Sequence, residues 1–195
     1  MSTGFALSNR RPVVLADIVP GTRTRDVLLV VAAAGFVGLL AQISIKLSFT
    51  PVPITGQTLG VLLAGTALGA RRGGAAIALY ALAGLAGLPW FAHGQSGYVG
   101  ANFGYIVGFF LCAIVCGWLA EHRADRTLRG SVPAMIVGEV VMYTVGVVWL
   151  AVYLHVGVGK AIALGLTPFL VGDAIKAAIA ACLLPSAWKL AGRRD

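Results

Sequence analysis

Six apolar runs, parted by short polar breaks, fill most of this chain. A run of about 20 apolar residues is long enough to cross a bilayer as a helix, and in hydrocarbon each backbone group must find its partner inside the segment. The runs predict helices near 27–45, 55–70, 73–89, 102–120, 132–155 and 165–190. The second and third are short, split only by Arg71-Arg72-Gly73-Gly74. Only 11% of residues are charged and 58% are hydrophobic, whereas a soluble domain carries about 25% charge. The expected fold is therefore all-α: a polytopic membrane protein whose single domain, 25–192, is a bundle of six transmembrane helices. Residues 1–24 are polar, carry Pro12, Pro20 and Gly21, and lack the apolar core and cleavage site of a signal peptide, so a short tail is expected there.

The charge distribution sets the expected topology. Net charge is +8, but the basic residues flank the apolar runs instead of interleaving with aromatics, which argues against nucleic acid as a partner. Arg10, Arg11, Arg23, Arg25, Arg71, Arg72, Arg123, Arg126, Arg129, Lys189, Arg193 and Arg194 fall on one face of a six-span arrangement. Lys46 and Lys160 fall on the other. Cytoplasmic loops carry the excess of Lys and Arg, so both termini are expected inside the cell and the 46 and 160 loops outside.

Asp173 and Lys176 point to a site. They lie one turn apart on one face of the last apolar run, Thr167 to Leu184. Ionisable groups at membrane depth usually face a cavity or a partner, and this pair offers an acceptor beside a donor. The alternative is mutual neutralisation that only permits insertion. The first outer loop, Phe49 to Gln57, is stiffened by Pro51 and Pro53 and contains Thr55. The second, Leu88 to Tyr105, combines Trp90, Phe91 and Tyr98 with Gln95, Ser96 and Asn102. Aromatic walls with a few amides and hydroxyls suit a small-molecule pocket, while an interfacial aromatic belt is the competing reading. Gly100, Gly104 and Gly108, and Gly65 with Gly69, form small-residue stripes for close helix packing. Cys112, Cys116 and Cys182 have no partners at zinc spacing and are expected to be buried packing residues.

Several segments together resemble the BioY family, the substrate-binding (S) components of energy-coupling factor (ECF) biotin transporters. They are Pro51–Thr66 (PVPITGQTLGVLLAGT), Leu68–Phe91, Gly104–Phe109 (GYIVGF) and Gly165–Lys176 (GLTPFLVGDAIK), with Tyr143 and Gly146–Leu150 in the fifth helix. The resemblance implies capture of biotin from outside a prokaryotic cell membrane, with a transmembrane coupling subunit and ATPase subunits as partners. S components dock through small residues of the first helix, which here directs attention to Ala32-Ala33-Ala34-Gly35 and Gly38, with Ala34 and Gly38 as the docking residues. Two departures stand out. The family's Gly-Pro-Thr-Gly-Gly-Tyr run reads Gly-Ala-Asn-Phe-Gly-Tyr at 100–105, and Glu139 stands where relatives commonly carry an uncharged residue.

For biotin as ligand, Asp173 is expected to accept a ureido N–H and Lys176 to donate to the ureido carbonyl, with Asn102 assisting. Trp90, Phe91 and Tyr98 would cover the thiophane ring and chain, and Gln57 and Thr55 would cap the end facing the first loop. A competing pose sends the valerate carboxylate to Lys176. No phosphate-binding loop is present, since Gly157-Val-Gly-Lys160 runs on to Ala161, so ATP would act only through partner subunits, and no cofactor or metal is expected. No nucleophile–base set is readable, which argues against an enzyme. An S component for another vitamin, and a solitary carrier using Glu139, Asp173 and Lys176 as a charge relay, are the alternatives.

Overall fold

The computed structural model describes residues 13–19 and 21–192. Arg10, Arg11, Pro12, Pro20, Arg193 and Arg194, used in the topology and tail readings, lie outside the described residues. Helix α1 spans Arg23–Gln42 and runs into a two-stranded antiparallel ribbon, β1 (Ser44–Ile45) and β2 (Ile54–Thr55), with Ser44 opposite Thr55. Then follow α2 (Gln57–Leu85), α3 (Phe103–Glu121), α4 (Leu128–Leu154), α5 (Val158–Gly165) and α6 (Leu170–Leu190). Helices α1, α4 and α6 and the stretch Gly100–Glu121 are long and apolar enough to cross a membrane.

Helix α2 is bent back on itself. Gly69 breaks it with φ 83° and ψ 170°, a region closed to side chains with a Cβ. The two limbs, 57–68 and 70–85, lie side by side: Gln57 Nε2 donates to Tyr80 Oη at 2.6 Å, although a straight helix would hold these residues about 34 Å apart. Ala70 N–H, freed at the break, donates to Glu121 Oε1 at 2.9 Å. The limbs correspond to the second and third expected helices, but the break falls before Arg71 rather than in the Arg71–Gly74 turn. A positive φ is available at Gly69 itself, so Arg71 and Arg72 already belong to the second limb. The limbs touch at Gly65 and Gly73, where a Cβ on Gly73 would lie 2.7 Å from the Gly65 Cα.

The last expected helix, 165–190, starts five residues late, and a short helix that was not expected, α5, precedes it. Pro168 disfavours helix at Thr167, the residue before it. The chain therefore turns between α5 and α6, and α6 starts afresh at Leu170. Helix α1 begins at Arg23, four residues earlier than the apolar run, because polar residues are tolerated in a solvated first turn.

The core lies where α2, α3 and α4 meet, around Leu62, Ile77, Cys112, Met135 and Met142. Glycines bring these helices close: Gly65 meets the backbone of Ala113, and Gly108 that of Met142. Cys112 and Cys116 are buried, whereas Cys182 is exposed on α6, contrary to expectation, because its helix turns that face away from the bundle. Helix α1 requires a second correction. Ala34 and Gly38 are buried against the chain itself, and a Cβ on Gly38 would lie 3.0 Å from the Trp90 ring. Neither residue is open to a separate subunit. Ala32 is exposed, and the Gly35 Cα has no neighbouring group within 4 Å of where a Cβ would sit.

Charge gathers at one end of the bundle. Arg72 pairs with Asp17 at 2.6 Å and Asp26 at 3.1 Å, tying the second limb of α2 to α1 and to the preceding 3₁₀ turn, Leu15–Ile18. The stretch before α1 is thus packed down, with Val14 buried. Nearby, Trp188 Nε1 donates to the buried Asp125 at 2.6 Å, and Arg126 stacks 3.3 Å from the centroid of the Trp188 ring.

Candidate functional site

The opposite end of the bundle carries a hollow. About 590 Å³ of space lies among its lining atoms, part of it open to solvent. Helices α2, α3, α4 and α6 supply its walls, and the β1–β2 ribbon and the 86–102 loop cover it. Asp173 stands in the first turn of α6, where the helix dipole favours a carboxylate, and its N–H is tied to Phe169 O at 2.8 Å. Lys176 Nζ lies 2.6 Å from Asp173 Oδ1. The other carboxylate oxygen accepts a hydrogen bond from Tyr143 Oη on α4. Asp173 is only 4% exposed, so both partners act on a carboxylate already removed from water. Such charge-assisted bonds fix its orientation.

The wall behind this pair is braced. Tyr105 on α3 meets the Tyr143 ring edge-on at 6.4 Å and donates from Oη to Gly165 O at 2.7 Å. That bond fixes the end of α5 just ahead of Asp173. Thr50 Oγ1 donates to Leu164 O at 2.7 Å and pins the first loop to the same place.

The cover is pinned from the other side. The backbone pairs Phe91 with Gln95, making a tight lobe that drops the Phe91 ring against Gly84 and into the hollow. Gln42, at the end of α1, donates to Trp90 O at 3.1 Å and to Phe91 O at 3.3 Å. Ser44 Oγ lies 3.0 Å from His93 Nδ1. His93 adopts φ 60°, a left-handed conformation uncommon outside glycine, and does not line the hollow.

The sequence model of the BioY family matches residues 10–193. The chain belongs to the BioY family. It is 40% identical over 173 residues to the biotin transporter BioY of Rhizobium etli, covering 82% of this chain and 91% of that protein. The biotin transporter BioY of Thermotoga maritima is 39% identical over 146 residues, covering 73% and 83%. The crystal structure of the S-component for biotin from an ECF-type ABC transporter superposes with a TM-score of 0.78 at 23% identity, over 86% of this chain and 92% of that one. The six-helix fold is therefore that of an S component.

Within this BioY-family frame, Asp173, Lys176, Asn102, Phe91, Gln57 and Thr55 surround one hollow. Trp90 and Tyr98 do not. Trp90 stacks behind on Tyr80 at 5.2 Å, donates from Nε1 to Tyr80 O at 2.9 Å and fills the gap above Gly38. It braces the cover from outside the pocket. Tyr98 is 62% exposed and packs on Phe103 at 5.5 Å, beside a second, open hollow. Loop position alone did not reveal which aromatic turns inward. Gln57 reaches the hollow with its Nε2 already committed to Tyr80. The Asn102 Oδ1 is sealed from solvent and has no hydrogen-bond partner.

Sequence reasoning missed Tyr143 and Thr58 as wall residues, whereas Gln95 and Tyr105 belong to the outer loop that it singled out. Tyr143 carried a usable signal, a hydroxyl in an apolar helix of a chain that also holds an intramembrane acid. Glu139 sits one turn before Tyr143, with its Oε1 buried and without a hydrogen-bond partner, and it does not line the hollow.

Proposed function

We propose that this chain captures biotin as the S component of an ECF transporter in the cytoplasmic membrane, a role in uptake rather than in catalysis. The observation that carries this is the Asp173–Lys176 pair in the wall of an otherwise uncharged, mostly apolar hollow. The ureido ring of biotin offers two N–H donors and one carbonyl acceptor. Asp173 accepts one N–H, Lys176 donates to the carbonyl, and the unpartnered Asn102 Oδ1 accepts the second N–H. Phe91, Phe109 and Phe169 give the thiophane ring an apolar seat. A thiamin or riboflavin head has a different donor pattern and leaves the pair unmatched, which is costly in a dry site.

Both termini face the cytoplasm in this reading. The basic residues crowd the end away from the hollow, and that end faces inward by the positive-inside bias. The hollow then opens outward, where a scarce vitamin has to be caught. A transmembrane coupling subunit and ATPase subunits supply the energy. With Ala34 and Gly38 taken up inside the bundle, Ala32 and Gly35 are the small residues that α1 leaves open to such a partner.

Calorimetry on the purified protein with biotin, thiamin and riboflavin tests the assignment; heat from biotin alone is expected. Lys176→Ala should weaken biotin about 100-fold, since it strips Asp173 of its cation and the ureido carbonyl of its donor. Full affinity in that variant would remove the proposal.

A further inference from the structure

Beside the hollow that holds Asp173 and Lys176 lies a second one. The second is open to solvent and shares Gln95, Val99 and Asn102 with the first. Its other walls include Ser96, Tyr98, Pro51 and Tyr153. Backbone here is spacious: Gly97 has φ 73° and no group within 4 Å of where a Cβ would sit. The Tyr98 ring rests on Phe103, which in turn packs against Trp149 at 5.4 Å, so this wall is held rather than loose. Trp149 Nε1 donates to Gly100 O at 3.0 Å and fixes the loop's far end.

Charge is absent from this outer chamber. Among the described residues lining either hollow, only Asp173 and Lys176 are charged, and they are paired with each other. If Lys176 serves the ureido carbonyl, no cation is left for the carboxylate at the other end of biotin. That end meets amides and hydroxyls, Gln95 and Ser96 first, which bond a carboxylate or a carboxamide alike. A site discriminates sharply only where a mismatch leaves a buried group unpaired. The carboxylate is not such a place.

We propose that this chain also takes biotin amides, above all biotin joined through its carboxyl to the side-chain nitrogen of a lysine, with the extension seated in the outer chamber. The amide N–H has Gln95 and Ser96 as acceptors, and the aliphatic stem of the lysine has the Tyr98 and Tyr153 rings. The substrate class is then any biotin whose ureido head is free and whose tail is a neutral linkage. Such molecules arise wherever proteins carrying biotin on lysine are hydrolysed, so a peptide-bond-cleaving reaction would supply them. The inference rests on the ureido-end pose given above.

Titration calorimetry on the full-length protein with biotin, biotinamide and the biotin–lysine amide tests it. Both amides should bind within about tenfold of biotin, because no charged contact is lost. Biotin binding with both amides weakened beyond about tenfold would overturn the inference and place the carboxylate on Lys176. No binding of biotin itself would instead overturn the function proposed above. Tyr153→Ala separates the chambers: Tyr153 lines only the outer one and meets only the lysine stem. This variant should weaken the lysine amide about tenfold and leave biotin and biotinamide unchanged. An unaffected lysine amide would show that the extension does not use this chamber.

Discussion

Tyr143 and Lys176 take one oxygen each of Asp173, from different helices, so the carboxylate is aimed before any ligand arrives. Preorganisation of this kind lowers the ordering cost of binding. Tyr143→Phe keeps the ring that packs on Tyr105 and removes only the hydroxyl. It should lower biotin affinity about tenfold with little change in thermal stability, measured by calorimetry and by a melting curve in detergent. Asp173 and Lys176 were legible in the sequence because charge in an apolar run is conspicuous. Tyr143 was less so, since its hydroxyl in an apolar helix gains meaning only beside the intramembrane acid. Trp90 and Phe91 show the limit most clearly. They are adjacent aromatics in one loop, yet one lines the hollow and the other props α1, and only the turn at 91–95 decides between them.

Among the elements, α1 and α2 carry the sharpest consequences. The number of helices was readable from hydropathy, and their breaks less so, because a backbone turn at Gly69 or after α5 is set by one or two residues. Gly69→Ala forces a side chain into φ 83° and places its Cβ 2.8 Å from Glu121 Oε1, the acceptor that caps Ala70 N–H. A loss of about 2 kcal/mol is expected, read as a lower melting temperature. Helix α1 presents one packed face and one open face. Gly38→Trp would drive its ring into Trp90 and should reduce the yield of folded protein, while Gly35→Trp projects into open space. The second variant should retain biotin binding and lose uptake in cells with the complete transporter. Retained uptake would show that the coupling subunit does not approach this face. The stripe of small residues was visible in the sequence, but which register faced outward depended on Trp90, some 50 residues away.

At the scale of the whole molecule, the ends of the bundle differ in kind. One holds the Arg72, Asp17 and Asp26 cluster and the Trp188–Asp125 bond; the other holds the hollow and its cover. This polarity followed from counting basic residues between apolar runs and required no side-chain detail. In a Cys182→Ser background, cysteine introduced at Lys46 should react with a membrane-impermeant thiol reagent on intact cells. Cysteine at Arg129 should react only after permeabilisation, and the reverse pattern would invert the orientation. One join crosses this division of labour. Gln42 ends the helix that exposes Gly35 and grips the carbonyls of Trp90 and Phe91. A load placed on α1 is therefore passed to the roof of the hollow through a single amide side chain, which makes Gln42 the tendon between the two.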